Sequence, residues 1–362
     1  GADASAMSAM AGTAGVATQV APTTREYFVG ADEVEWNYAP DGRNLITGEP
    51  FDDEQDVFVA PGPDRIGSTY RKCLYRGYTD GTFTTLAAPS DQDGPLGILG
   101  PVIRAQVGDT IRVHYRNGCS FPTSMHPHGL FYDKSSEGAL YEDGTSGAAK
   151  QDDGVPPDGT YTYTWEVPER AGPGPGDGSS VMWMYMSHND DVLDTYSGLM
   201  GPIVVTRRGM ANEDGSPADV DQELFALFAV MDENQTHYID DEVGHLERPE
   251  GPDEHAEEFA ESNLMHSING YVYGNGPMFT VKQGERVRWY VMGMGTEVDI
   301  HTPHWHGNTA VAMGMRTDVV SVFPGTMVTA DMTPDDPGIW LFHCHVTDHV
   351  LAGMQARYEV VA

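Results

Sequence analysis

The 362-residue chain lays out one strand plan twice, and that repetition limits the folds open to it. The stretches PVIRAQVGDTIRVHYRN at 101–117 and PMFTVKQGERVRWYVMG at 277–293 both alternate apolar and polar side chains around a Gly-Asp or Gly-Glu turn. Period-two alternation puts one face of a strand on a core and the other in water. A glycine-centred turn in such a run reads as a β-hairpin. Each copy is followed by an H-x-H element, His126-Pro127-His128-Gly129 or His304-Trp305-His306-Gly307. Each half then ends a later strand in more potential ligands, Met186-Ser187-His188 and His343-Cys344-His345. Internal duplication is the simplest account. With 42 Gly and 24 Pro, and no long stretch of helical periodicity, the expected class is all-β, in two domains with separate cores.

The boundary falls in the polar, patternless stretch Arg207–Asp221. This gives a tail at 1–22, a first domain at 23–208, a linker at 209–220 and a second domain at 221–362. The tail is small, Ala-rich and lacks the basic start and apolar core of an intact signal peptide; it reads as a flexible remnant of export and trimming. Two long polar loops stand out, at 133–156 and at 239–262, the latter acidic with one helical turn at Ala256–Ala260. No apolar run reaches membrane-spanning length, so membrane insertion is not expected. A formal charge of −35, from 55 acidic and 20 basic residues, repels nucleic acid and anionic membranes and attracts cations. Of three cysteines, Cys344 sits between histidines; Cys73 and Cys119 are either a disulfide, in an extracytoplasmic setting, or two buried thiols.

The strongest chemical signal is His343-Cys344-His345-Val346-Thr347-Asp348-His349, followed by Met354. With the upstream His301, the residues Cys344, His349 and Met354 form a His2Cys set with a weak axial thioether, the donor set of blue copper. A structural zinc site would instead use four strong ligands and no thioether. His343 and His345 project to the opposite face of the strand from Cys344. They therefore belong to another site, one peptide away from the thiolate. His304 and His306 stand in the same relation to His301. Together with His126, His128 and His188, these histidines form a set that can surround a copper cluster.

The wording of these segments resembles the ceruloplasmin, hephaestin and coagulation factor V/VIII A-domain group of multicopper oxidases. The resemblance runs from about Thr24 to the C-terminus, through GILGPVIRAQVGDT, SGLMGPIVV, EFAESNLMHSINGYVYGN, EVDIHTPHWHGN and GIWLFHCHVTDHVLAGM. It implies two cupredoxin-like Greek-key β-sandwich domains with the blue copper in the second, as in two-domain laccases. It implies a homotrimer with a trinuclear cluster at each contact between one subunit's first domain and the next one's second, because each half-site in a single chain faces outward. His301, Cys344, His349 and Met354 correspond to type 1 copper ligands. His126 and His304 correspond to type 2, and His128, His188, His306, His343 and His345 to the type 3 pair. Full loading would be about four coppers per chain. Where the family expects a sixth type 3 histidine, this chain has Met186. A thioether favours Cu(I), which handicaps that position; alternatively Met186 fills space beside Met184 and Met182 and the copper is three-coordinate or absent.

The resemblance further implies dioxygen as the electron acceptor and water as its product. The implied donor is Fe(II), bound at Glu261, His266 and Asp348, with Asp348 directly before the ligand His349. The ordinary roles of these residues are a turn cap, a buried histidine and an orienting partner of His349. A laccase-like oxidase of phenols and aromatic amines is the competing reading and requires an apolar approach to His301 or His349. A copper-binding module with impaired oxygen reduction, through Met186, is the third. A copper nitrite reductase would carry its blue site in the first domain and lack the His-Cys-His wiring. A secreted or periplasmic location is expected.

Overall fold

The computed structural model describes residues 21–90, 93–244, 246 and 253–362. The tail read at 1–22 lies outside them but for its last two residues. Strands β1 (Thr24–Asn37), β2 (Thr69–Tyr78), β3 (Ile103–Gln106), β4 (Thr110–Gly118), β5 (His126–Pro127), β6 (Thr160–Glu166), β7 (Ser180–Met186) and β8 (Met200–Thr206) come from the first half. They form two four-stranded sheets, ordered β2-β1-β4-β6 and β3-β8-β7-β5. The second half contributes β9 (Gln222–Asp232), β10 (Leu264–Ile268), β11 (Phe279–Lys282), β12 (Val287–Met294) and β13 (Pro303–Trp305). It continues with β14 (Ala310–Ala312), β15 (Met315–Thr317), β16 (Met327–Met332), β17 (Gly338–Cys344) and β18 (Gln355–Val361). These form sheets ordered β10-β9-β12-β16-β14-β15 and β11-β18-β17-β13.

The pairing repeats as the sequence does. β1 runs parallel to β4 as β9 does to β12, and β3 runs parallel to β8 as β11 does to β18. The central ladder of each ligand-bearing sheet repeats too, β5-β7-β8 against β13-β17-β18. One local expectation is corrected. The runs 101–117 and 277–293 are not hairpins, because their two strands lie in different sheets. Asp109 at the first corner accepts from the N–H groups of Gln106 and Thr23 and pairs with Arg25, so the chain crosses from sheet to sheet there. Period-two alternation is the same on either side of a hairpin or of a sandwich corner. The acidic loop also holds more helix than one turn, Asp253–Ser262.

Three apolar cores result. One fills the first sandwich around Tyr115, Tyr163 and Trp165, and another fills the second around Trp289, Trp305 and Phe342. The third lies between them. Alternation along β7 sends Tyr185 into the first sandwich and Met182, Met184 and Met186 outward, where they join Phe225, Leu227, Ala229 and Met231 of β9. Each methionine buried there contributes about 1.5–3 kcal/mol. Fully buried Lys72 pairs with Glu233, and Arg104 with Glu223, across the same seam. Cys73 and Cys119 form a disulfide, which resolves the alternative left open by the sequence. It ties β2 to the chain just after β4 across 46 residues, and such a link is worth about 4 kcal/mol.

Candidate copper centres

The Cys344 site sits where β17 ends. Cys344 is the last residue of β17, and the helix Thr347–Leu351 then carries His349 back toward it. The backbone closes the loop: Met354 N–H donates to His349 O, and Cys344 N–H donates to Met354 O. His301 arrives from a bridge with Val322. Cys344 Sγ lies 3.6 Å from His349 Nδ1 and 3.9 Å from His301 Nδ1, and the two nitrogens are 3.1 Å apart. A triangle of that size is what three donors adopt around one ion roughly 2 Å from each. All three residues are buried, and Met354 is fully buried in the same core. Thiolate, two imidazoles and a nearby thioether match the softness of copper.

Electrostatics favour the thiolate, the ligating form of Cys344. Burial pushes the Cys344 thiol up, but hydrogen bonds from His301 and His349 and the Thr302 N–H outweigh it and bring it down to about 6. Burial opposes a charge on His301, yet the Asp299 carboxylate and Cys344 hold its imidazole above the usual range. Asp299 Oδ1 is 2.9 Å from His301 Nε2, which leaves Nδ1 facing Cys344. Asp299 is itself fully buried and accepts from the N–H groups of Val230 and Thr296. It is a residue of this site that the sequence reading did not single out; its one signal is an acid two residues before His301.

The second donor group lies one residue away along the same strand. His304 and His343 are register partners, and His304, His306 and His343 bring their ligand nitrogens within 4.8 Å of one another. His345 joins them at ring distances of 5.5 Å from His343 and 5.6 Å from His304. His304 Nδ1 is bonded to Asp318 O and His343 Nδ1 to Cys344 O. A carbonyl only accepts, so both rings carry their proton on Nδ1 and present Nε2. Burial holds His306 and His343 below the usual histidine range, with the neighbouring rings adding to it.

The first half builds a matching but smaller group. His126 stands 5.4 Å from His188 and 5.8 Å from His128, ring to ring. His126 Nδ1 bonds to Glu137 O in the 133–156 loop, which again presents Nε2. Burial lowers both His126 and His128. Met186 is the register partner of His126, as His343 is of His304. It therefore occupies the place of a fourth donor, and it packs with Met182 and Met184 in the seam. Among the described residues, no ring of the first group touches a ring of the second.

Glu261, His266 and Asp348 are placed differently. His266 is buried with its ring 5.4 Å from that of His349 and edge-on to Phe58. Burial first, and then the His349 charge, lower it to about 4. Glu261 and Asp348 are exposed, and among the described residues the three do not gather as a ligand group within 4.8 Å.

Comparison with known proteins agrees with this chemistry. Family models described as multicopper oxidase match residues 96–209 and 247–362. The human protein named Ferroxidase HEPHL1 is 45% identical over 350 residues, covering 96% of this chain and 30% of that one. Human hephaestin is 44% identical, covering 93% of this chain and 29% of itself, and rat ceruloplasmin is 39% identical, with 93% and 32% covered. The chain thus spans about a third of the length of these curated relatives. A solved multicopper oxidase superposes with a TM-score of 0.56 at 19% identity, covering 93% of this chain and 89% of that one, which speaks for the fold. The match of both halves to the family models, with copper-type donors at the matched places, makes this chain a multicopper oxidase of the ceruloplasmin and hephaestin group.

Proposed function

We propose that the chain takes single electrons at the Cys344 site and passes them to the histidine group, where dioxygen is reduced to water. One observation carries this reading: Cys344 belongs to one donor group and its neighbour His343 to the other. Copper, when bound, supplies one-electron chemistry at Cys344 and oxygen reduction at the histidines. The chain's part is to hold that short covalent path. Cys344 O fixes the His343 ring, and Asp299 fixes His301. In this reading His301, Cys344, His349 and Met354 are the type 1 ligands. His126 and His304 are type 2, and His128, His188, His306, His343 and His345 are type 3, with Met186 in the remaining place.

The two histidine groups are half-sites that a second copy of this chain completes, head to tail. Apolar side chains rim each of them. Leu140, Tyr141 and Val192 are exposed and near His188 along the chain or its backbone bonds, and Val319, the bridge partner of His304, is exposed, as are Val311, Met313 and Met315 in the hairpin that precedes it. Two different faces meeting head to tail form a ring where the rotation closes, rather than a two-fold dimer; the family resemblance makes that ring a homotrimer. A molecular mass in solution of one chain would overturn this part. The Cys73–Cys119 disulfide suits an extracytoplasmic location, and no described helix is long and apolar enough to cross a membrane.

Fe(II) is the donor we favour. His266 lies against His349, and Glu261 and Asp348 are exposed hard oxygen donors close in sequence to His266 and to His349 respectively. The net charge of −35 concentrates cations. The laccase-like reading has its own support. Ile300, Phe323 and Leu351 are 48%, 49% and 67% exposed and flank His301 and His349, an apolar approach that suits a phenol or aromatic amine. Oxygen uptake by the copper-loaded protein, with Fe(II) and a bulky phenol run beside protein-free controls, decides. Saturable uptake that is faster with Fe(II) supports the metal-oxidase reading. Faster uptake with the phenol makes it a laccase. No uptake with either, despite a blue protein, leaves a copper-binding module whose oxygen chemistry Met186 has disabled.

A further inference from the structure

The half-site in the first domain contains a buried carboxylate that no copper chemistry has so far accounted for. Asp194, in the helix Asp191–Ser197, is fully buried. Its Oδ2 accepts from Ser187 Oγ at 2.6 Å, Asn189 N at 3.1 Å and Asp190 N at 2.9 Å. These donors straddle His188. The ring of His188 is itself partly exposed, while its backbone is bonded at both ends, N–H to Ser124 Oγ and C=O to Leu140 N–H. The other oxygen, Oδ1, is 2.8 Å from Nε2 of His237, a residue of the second half that stacks on Phe121 with ring centroids 3.6 Å apart.

Asp194 also occupies an informative place in the repeat. Leu199 N–H donates to Asp194 O, and Ser187 N–H donates to Leu199 O. In the second domain the same two bonds run from Met354 to His349 and from Cys344 to Met354. Asp194 therefore stands where the second domain has the ligand His349, and Ser187 stands where it has Cys344. An ionised carboxylate is costly to bury unless donors converge on it. Here four do, three of them from the turn that carries His188.

We propose that Asp194 is a positioning residue for His188, and that His237 locks it from the second domain; this rests on the reading that His188 holds copper in the oxygen-reducing cluster. The carboxylate fixes the backbone on both sides of a partly exposed imidazole, so the ring is presented to the neighbouring half-site from one fixed Cα–Cβ direction. Partners that orient ligands in this way are worth about 10–100-fold in metal affinity. Docking of the second domain, through His237, thereby reaches a ligand in the first.

The test compares copper affinity and the spectroscopic signature of each centre in the assembled, copper-loaded protein. Asp194→Asn is expected to weaken copper at the histidine cluster at least tenfold while the blue absorbance of the Cys344 site stays at full strength. Cluster affinity within twofold of the parent overturns the proposal. So does parallel loss of the blue absorbance, which marks a general folding role. Should Asp194→Asn not fold, the pair His237→Ala and His237→Gln decides. Weakened cluster copper in His237→Ala, restored by the amide donor of His237→Gln, supports the lock, and equal behaviour of the two overturns it. His188→Ala separates the two claims. Undiminished cluster copper in that variant overturns the assignment of His188, whereas loss there with none in Asp194→Asn overturns the positioning role alone.

Discussion

The first domain's Ser187 and the second domain's Cys344 stand in one backbone frame with opposite contents. Thr123 bonds to Val155 in both directions as His301 does to Val322. Ser124 N–H donates to Ser187 Oγ at 2.9 Å as Thr302 N–H donates to Cys344 Sγ at 3.4 Å. Around these frames the second domain places His301, Cys344, His349 and Met354, and the first places Thr123, Ser187, Asp194 and Leu199. The frame does not by itself make a metal site. Where a thiol and two imidazoles line it, their donor atoms converge on a place that suits one soft ion; where hydroxyls and a carboxylate line it, they satisfy one another and the place is closed. The histidine groups on the same strands differ less. They share anchoring of Nδ1 on a carbonyl, and they diverge at one register position, His343 against Met186.

Substitutions sharpen that contrast. Cys344→Ser, which makes the second domain resemble the first at one atom, is expected to abolish the blue colour altogether; an intense visible band surviving it would contradict the assignment. Asp299→Asn is expected to weaken copper at the Cys344 site about 10–100-fold, with the histidine cluster unaffected, as measured by competition with a chelator. Met186→His restores the symmetry of the two histidine groups. It is expected to raise oxygen turnover, and an unchanged rate at full copper loading would show that the thioether is no handicap.

A smaller effect belongs to the seam between the domains. Burial first, then the charge of Glu233, raises the Glu242 carboxyl to about 7, so the folded chain keeps a proton there that the unfolded chain releases near 4.5. That contribution to stability is fully present below about 4.5 and is lost as pH rises through about 7. Glu242→Gln should flatten the pH dependence of the melting temperature across this window, and an unaltered slope would refute it. The smallest expected effect is none. Ser187→Cys alone should give no blue band, because Thr123, Asp194 and Leu199 offer no imidazole and no thioether; a band would mean the frame matters more than its lining.

The donor groups that the structure brings together were legible because each set is short in sequence or marked by repetition. His343-Cys344-His345 declares two sites on two faces of one strand, and the register of β13 on β17 places His304 opposite His343. What was not legible depends on distance along the chain. His237 meets Asp194 across 43 residues, and Asp299 finds the Val230 N–H across 69. No local pattern announces such partners. The corners at Gly108-Asp109 and Gly284-Glu285 read as hairpins because alternation carries no information about which sheet a strand joins. The Cys73–Cys119 bridge stayed open for a related reason, since only the pairing of β1 with β2 and β4 brings the two cysteines together.

The most direct test of the wiring is a single cycle followed at the blue band. The copper-loaded protein is reduced without oxygen until the band bleaches, and is then mixed with dioxygen. If electrons pass from the Cys344 site through His343 and His345 to an oxygen-reducing cluster, the band returns as oxygen is consumed. A band that stays bleached in excess oxygen, at full copper loading of the histidine group, would contradict the account.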